Sequence, residues 1–101
     1  MNIKLFCSAG MSTSMLVQKM QKAAEARGLE ATIAAYPESQ IKDQVDGCDV
    51  ALLGPQVRFL LDKAKTICEP AGVPVDVIPM RDYGTMNGEK VLDFALGLAG
   101  K

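Results

Sequence analysis

The residues best suited to chemistry lie in one short segment near the amino terminus. After Cys7 come seven residues without a charged side chain. Converging backbone N–H groups where a strand leads into a helix can bind phosphate, and the positive end of the helix dipole favours a thiolate. We therefore predict that Cys7 is a catalytic nucleophile that needs no histidine. The predicted phosphate-binding loop consists of Ser8, Ala9, Gly10, Met11, Ser12, Thr13 and Ser14.

The complete absence of histidine from the 101 residues limits the other chemistry that this chain can support. Histidine is the usual general base near neutral pH and a usual zinc ligand, so Ser-His and Cys-His catalytic pairs are excluded. Cys48 and Cys68 form no Cys-x-x-Cys pair and lack a surrounding motif, so we predict that both pack in the core. We expect neither a metal ion nor an organic cofactor. Three cysteines, an odd number, favour a reducing, cytoplasmic location.

Charge and hydropathy argue against nucleic-acid-binding and integral membrane proteins. Eleven Lys and Arg residues against twelve Asp and Glu residues give a net charge of −1, without a run of either sign. Nucleic acid is therefore not an expected partner. Apolar residues make up 49% of the chain, yet no apolar stretch approaches the roughly 20 residues that span a bilayer. We predict one domain over residues 1–101 that is not inserted in the membrane and is monomeric when free.

Apolar runs alternate with helical patterns four times along the chain. Strands are predicted at residues 3–7, 31–36, 50–53 and 75–78, and helices from Met15, after Pro37, after Pro55 and after Gly88. Apolar strands separated by helices indicate parallel pairing through right-handed crossovers. The expected fold is a flavodoxin-like, three-layer α/β/α sandwich with a four-stranded parallel sheet in the order 2-1-3-4. Ligands bind such sheets beyond the carboxyl ends of the strands, where Cys7 is expected.

Three segments together resemble one known family. The sequence Cys-Ser-Ala-Gly-Met-Ser-Thr-Ser-Met-Leu-Val, from Cys7 to Val17, resembles the active-site segment of enzyme IIB in the lactose/cellobiose (β-glucoside/chitobiose) family of the phosphoenolpyruvate-dependent sugar phosphotransferase system. Leu-Leu-Gly-Pro-Gln, ending at Gln56, and Tyr-Gly-x-x-x-Gly, beginning at Tyr83, are similar to two further motifs of that family. The resemblance extends over nearly the whole chain and implies the fold expected above.

The resemblance implies a cytoplasmic phosphoryl carrier with Cys7 as its phosphocysteine. Cys7 would accept a phosphoryl group from a phosphohistidine on the IIA protein and pass it to a sugar bound by the membrane protein IIC. The expected sugar is a β-linked disaccharide such as cellobiose or chitobiose. Gln56 and Tyr83 are expected to face the same sheet edge as Cys7 and to contact the partners or the phosphoryl group.

Two alternative functions stay open at this point. Low-molecular-weight phosphatases and arsenate-reductase-like enzymes also place a cysteine loop between a strand and a helix. The phosphatase signature has an arginine six residues after the cysteine, whereas this chain has Thr13 there. The second alternative is a non-catalytic regulatory module that uses the Cys7 thiol as a switch.

Overall fold

The computed structural model describes residues 1–8 and 10–100, without the side chains of residues 10–12. Four strands form one parallel sheet in the order β2-β1-β3-β4, which confirms the predicted order. The strands are β1 (Asn2–Cys7), β2 (Thr32–Pro37), β3 (Val50–Leu53) and β4 (Val75–Val77). The helices are α1 (Gly10–Ala26), α2 (Ile41–Gln44), α3 (Leu61–Cys68), α4 (Met80–Gly84) and α5 (Gly88–Leu98). Turns of 3-10 helix cover Glu38–Gln40, Pro55–Leu60 and Glu69–Ala71.

Two apolar cores lie on opposite faces of the sheet. Alternate residues of a strand point to opposite faces, and β1 follows this rule closely. Ile3 and Leu5 pack with buried residues of α1 and α5, whereas Phe6 packs with buried residues of α2 and α3. These two cores produce the three predicted layers and the flavodoxin-like architecture.

Two predicted helix starts differ from the structure, and one helix was not predicted. Helix α1 begins at Gly10 and not at Met15, because the first turn of a helix carries unpaired N–H groups that suit small and hydroxyl residues and needs no apolar periodicity. The third helix starts as the 3-10 turn that follows Pro55, and only its second half is α-helical. Helix α4 was not predicted, since five residues are too few to show a 3.6-residue period.

Helices α1 and α5 approach each other closely at Gly88, the first residue of α5. A Cβ atom at this position would lie 2.5 Å from the backbone carbonyl carbon of Lys19. Next to Gly88, the side-chain oxygen of Asn87 accepts a hydrogen bond of 3.1 Å from the Lys90 N–H and caps the helix. The start of α5 is therefore held against the backbone of α1.

We predict that Gly88→Ala lowers the free energy of unfolding by about 1 to 3 kcal/mol, because the added methyl group clashes with backbone that cannot move aside cheaply. Gly97→Ala, in the same helix, is the matched control, since a Cβ there meets no atom within 4 Å. The control should be neutral or stabilising by up to about 1 kcal/mol, as expected for alanine in a helix. Urea unfolding of both variants measures the difference, and equal effects would contradict the close approach.

Candidate active site

Cys7 is the last residue of β1, the strand that pairs with β2 on one side and β3 on the other. The alternation along β1 directs its side chain to the same face as Ile3 and Leu5, toward the layer formed by α1 and α5. The residue is only 1% exposed. Its pairing with β2 continues to Pro37, whereas β3 ends opposite Phe6. The thiol therefore lies at the carboxyl edge of the sheet, as predicted, and it is buried there.

Helix α1 places Thr13 directly against the sulfur of Cys7. Because α1 begins at Gly10, Thr13 lies in its first turns and not in a loop, and its side chain is 1% exposed. The Thr13 hydroxyl donates a hydrogen bond of 2.7 Å to Cys7 Sγ. A hydroxyl so oriented can stabilise a sulfur atom that carries negative charge.

The other side chains of the predicted loop are either exposed or not described. The side chains of Ser8 and Ser14 are exposed. Gly10, Met11 and Ser12 belong to the backbone of α1, but their side chains, like the whole of Ala9, lie outside the described residues. Residues 10–14 therefore belong to helix α1, which corrects the prediction that they form part of a loop.

Tyr83 and Gln56 extend the contact between Thr13 and Cys7 into a chain of hydrogen bonds. Tyr83 lies in α4, is 8% exposed, and its Oη atom is 3.0 Å from Thr13 Oγ1. Gln56 lies in the 3-10 turn after β3 and donates a hydrogen bond of 3.1 Å from Nε2 to Tyr83 Oη. Four of the predicted site residues are therefore linked by hydrogen bonds between their side chains: Cys7, Thr13, Tyr83 and Gln56.

Gly54 allows this arrangement because a side chain at its position would press against Cys7 and displace the Gln56 amide. An added Cβ would lie 3.2 Å from Cys7 Cβ and 2.7 Å from Gln56 Oε1. The Gly54 N–H also donates a hydrogen bond of 2.9 Å to the carbonyl of Phe6, the residue before the cysteine. The sequence analysis assigned no site role to Gly54. The signal was present in the Leu-Leu-Gly-Pro-Gln motif, in which this glycine precedes Gln56 by two residues.

The outer end of the hydrogen-bonded chain opens onto a surface groove of about 620 Å³. Gln56 and Tyr83 line this groove together with Phe59 and Met80, which are 76% and 62% exposed. Arg58 also lines it and supplies positive charge. The groove is therefore lined both by exposed apolar side chains and by Gln56 and Tyr83, which are hydrogen-bonded through Thr13 to the Cys7 sulfur.

Cys48 and Cys68 are buried in the core on the α2–α3 side of the sheet, which confirms their predicted packing role. Burial raises the pKa of both thiols above the usual value, because the charged thiolate is poorly solvated there. The Cys48 thiol also donates a hydrogen bond of 3.0 Å to the Val50 carbonyl. These two residues have the properties of structural cysteines, in contrast to the site position of Cys7.

The parallel sheet of order 2-1-3-4, with helices on both faces, defines a flavodoxin-like domain. The buried cysteine at the end of the first strand gives that domain a thiol site at its carboxyl edge. The helices of the described residues are all too short or too polar to cross a membrane.

Comparison with known proteins identifies the family. The family model described as "PTS system, Lactose/Cellobiose specific IIB subunit" matches residues 2–94. The galactose-specific EIIB component of Lactococcus lactis subsp. cremoris (strain MG1363) and the cellobiose-specific EIIB component of Lactococcus lactis subsp. lactis (strain IL1403) are each 50% identical to this chain. Each alignment covers 95% of this chain and 94% of the relative.

A solved structure agrees with the sequence matches. The solution structure of the cellobiose-specific phosphotransferase IIB component from Borrelia burgdorferi superposes with a TM-score of 0.81 at 49% identity. The match covers 99% of this chain and 92% of that one. The chain therefore belongs to the lactose/cellobiose IIB family. It is a sugar phosphotransferase subunit that works with other components of the phosphotransferase system.

The raised thiol pKa values predict a loss of stability at alkaline pH. Since the folded-state pKa of Cys48 lies above its unfolded value of about 8.5, its contribution is fully present below that pH and is lost as the pH rises through the folded pKa. Urea unfolding under reducing conditions should show a steeper decline above about pH 8.5 for the wild type than for Cys48→Ala. Parallel curves for the two proteins would contradict the pKa shift.

Proposed function

We propose that this chain is a cytoplasmic phosphoryl carrier that uses Cys7 as its phosphocysteine. The observation that carries the proposal is the position of Cys7 at the end of β1, with α1 beginning three residues later and the Thr13 hydroxyl 2.7 Å from the sulfur. Membership of a sugar phosphotransferase family supplies the class of reaction.

In the first step, the Cys7 sulfur attacks the phosphorus of a phosphohistidine on the IIA protein. The N–P bond breaks as the S–P bond forms, and the proton released by the Cys7 thiol ends on the histidine, which leaves as a neutral imidazole. Phosphoryl transfer of this kind depends mainly on alignment and on stabilising negative charge. The start of α1 offers oriented backbone N–H groups for the phosphoryl oxygens, and this is the role proposed for Ser8–Ser14.

In the second step, a hydroxyl of a sugar bound by the membrane protein IIC attacks the phosphorus and loses its proton. The O–P bond forms, the S–P bond breaks, and Cys7 leaves as a thiolate. We propose a β-linked disaccharide of the cellobiose or chitobiose type as this sugar. The names of the cellobiose-specific relative and of the cellobiose-specific solved structure support that choice, while the galactose-specific relative is equally similar to this chain.

The residues around Cys7 fit a carrier better than a hydrolase. Cys7 is 1% exposed, so its sulfur is not open to bulk water in this conformation. The segment from Cys7 to Ser14 also lacks the arginine with which the related phosphatases bind the phosphoryl oxygens.

The test is phosphoryl transfer from phosphoenolpyruvate, through the general proteins of the system and a candidate IIA protein, to this chain. We predict that Cys7→Ser reduces labelling to background, because a serine hydroxyl is a far weaker nucleophile than a thiolate. Cys48→Ser and Cys68→Ser are the matched controls and should keep labelling close to the wild-type level. Mass mapping of the labelled protein identifies the modified residue, and a labelled Cys7→Ser variant would refute the proposal.

A further inference from the structure

The hydrogen bonds that connect Gln56 to Cys7 have a single possible direction. Gln56 presents its Nε2 atom, which can only donate, so Tyr83 Oη is an acceptor in that bond. At the other end, the Thr13 hydroxyl gives its only hydrogen to Cys7 Sγ. Thr13 Oγ1 must then accept in its 3.0 Å contact with Tyr83, whose hydroxyl hydrogen is the one available donor in that pair.

We infer that Tyr83 and Gln56 are positioning residues that keep the Thr13 hydroxyl pointing at the Cys7 sulfur as a donor. Each side chain in this series of hydrogen bonds donates toward the Cys7 sulfur. Gln56 donates to Tyr83, Tyr83 donates to Thr13, and Thr13 donates to Sγ. The sulfur is held at the end of this chain as a hydrogen-bond acceptor.

The burial of Thr13 and Tyr83 stabilises this direction of the hydrogen bonds. Thr13 and Tyr83 are 1% and 8% exposed, so neither hydroxyl can turn toward water without breaking a buried hydrogen bond. Gln56 is exposed and lines the groove with Phe59 and Met80. Gln56, which sets the direction of these hydrogen bonds, is therefore at the surface, where a substitution disturbs packing least.

Gln56→Glu tests the inference because it reverses the outer hydrogen bond with almost no change in shape. A carboxylate can only accept, so Tyr83 donates outward to it, Thr13 turns to donate to Tyr83, and the sulfur loses the hydrogen bond from Thr13. We expect alkylation of Cys7 by iodoacetamide to slow by roughly tenfold, the effect of losing one hydrogen bond to a charged group. Peptide mass mapping separates Cys7 from Cys48 and Cys68.

The negative charge of the new carboxylate could also slow the reaction through space, and a double variant separates the two effects. In Tyr83→Phe the hydroxyl that transmits the direction is absent. If the inference is right, adding Gln56→Glu to Tyr83→Phe slows alkylation only through space, and therefore by less than Gln56→Glu slows it in the wild-type background. Equal slowing in both backgrounds, or no slowing by Gln56→Glu alone, would overturn it. Gln56→Met, which offers neither donor nor acceptor, should slow alkylation less than Gln56→Glu.

Substitutions of Thr13, the residue that donates to the Cys7 sulfur, give a second test. Thr13→Ser keeps the hydroxyl and should keep the alkylation rate, whereas Thr13→Val keeps the shape and should slow it by roughly tenfold. Equal rates for serine and valine would also overturn the inference. Thermal unfolding of each variant verifies that the protein remains folded.

This inference rests on the proposed role of Cys7 as a nucleophile, but alkylation needs no phosphoryl donor. The two can therefore fail separately. A wild-type protein that accepts no phosphoryl group but shows the alkylation pattern above would refute the proposed function alone. Normal phosphoryl acceptance with equal slowing by Gln56→Glu in both backgrounds would refute the hydrogen-bond direction alone.

Discussion

The pairing of β1 with a strand on each side is the constraint on which the site depends. Hydrogen bonds to β2 and β3 fix the position of β1 along the sheet, and the alternation of side chains fixes the face on which each residue lies. Cys7 comes one residue after the last pair with β3, so its sulfur is held at the edge with little freedom. A shift of one residue would turn Cys7 toward the α2–α3 layer, away from Thr13 and Tyr83.

Much of this fold could be predicted from local patterns. Short apolar runs such as 50–53 identify buried strands, and alternation with helices leaves few possible topologies. The start of α1 was less visible, because Gly10 to Ser14 combine residues that suit loops and helix starts alike. Helix α4 carries Tyr83 to the site, yet its five residues are too few to show any periodicity.

In the candidate site, too, some residues could be predicted from their neighbours in the sequence and others could not. Cys7 could be found from its own neighbours in the chain, because a thiol before small and hydroxyl residues indicates an anion site. Gln56 and Tyr83 came only from motifs of a known family. Their contact with Thr13 could not be predicted, since Thr13 and Tyr83 are 70 residues apart and meet only when α1 and α4 fold onto the same sheet edge. Neither pattern nor propensity reports the direction of a hydrogen bond.

Neutral donors explain how such a site can favour a negatively charged sulfur without a basic side chain. An arginine beside Cys7 would stabilise the negative charge of the phosphoryl oxygens at every stage of the reaction. That includes the transition state for attack by water, which leads to hydrolysis. Hydroxyl and amide donors act over a shorter range, and their effect depends on orientation. Thr13, Tyr83 and Gln56 form a set of such donors with no net charge, two of them buried. In the proposed function the carrier must bind a phosphoryl group and then release it. Oriented neutral donors would then stabilise the sulfur as nucleophile and as leaving group without binding the phosphoryl group too strongly to be passed on.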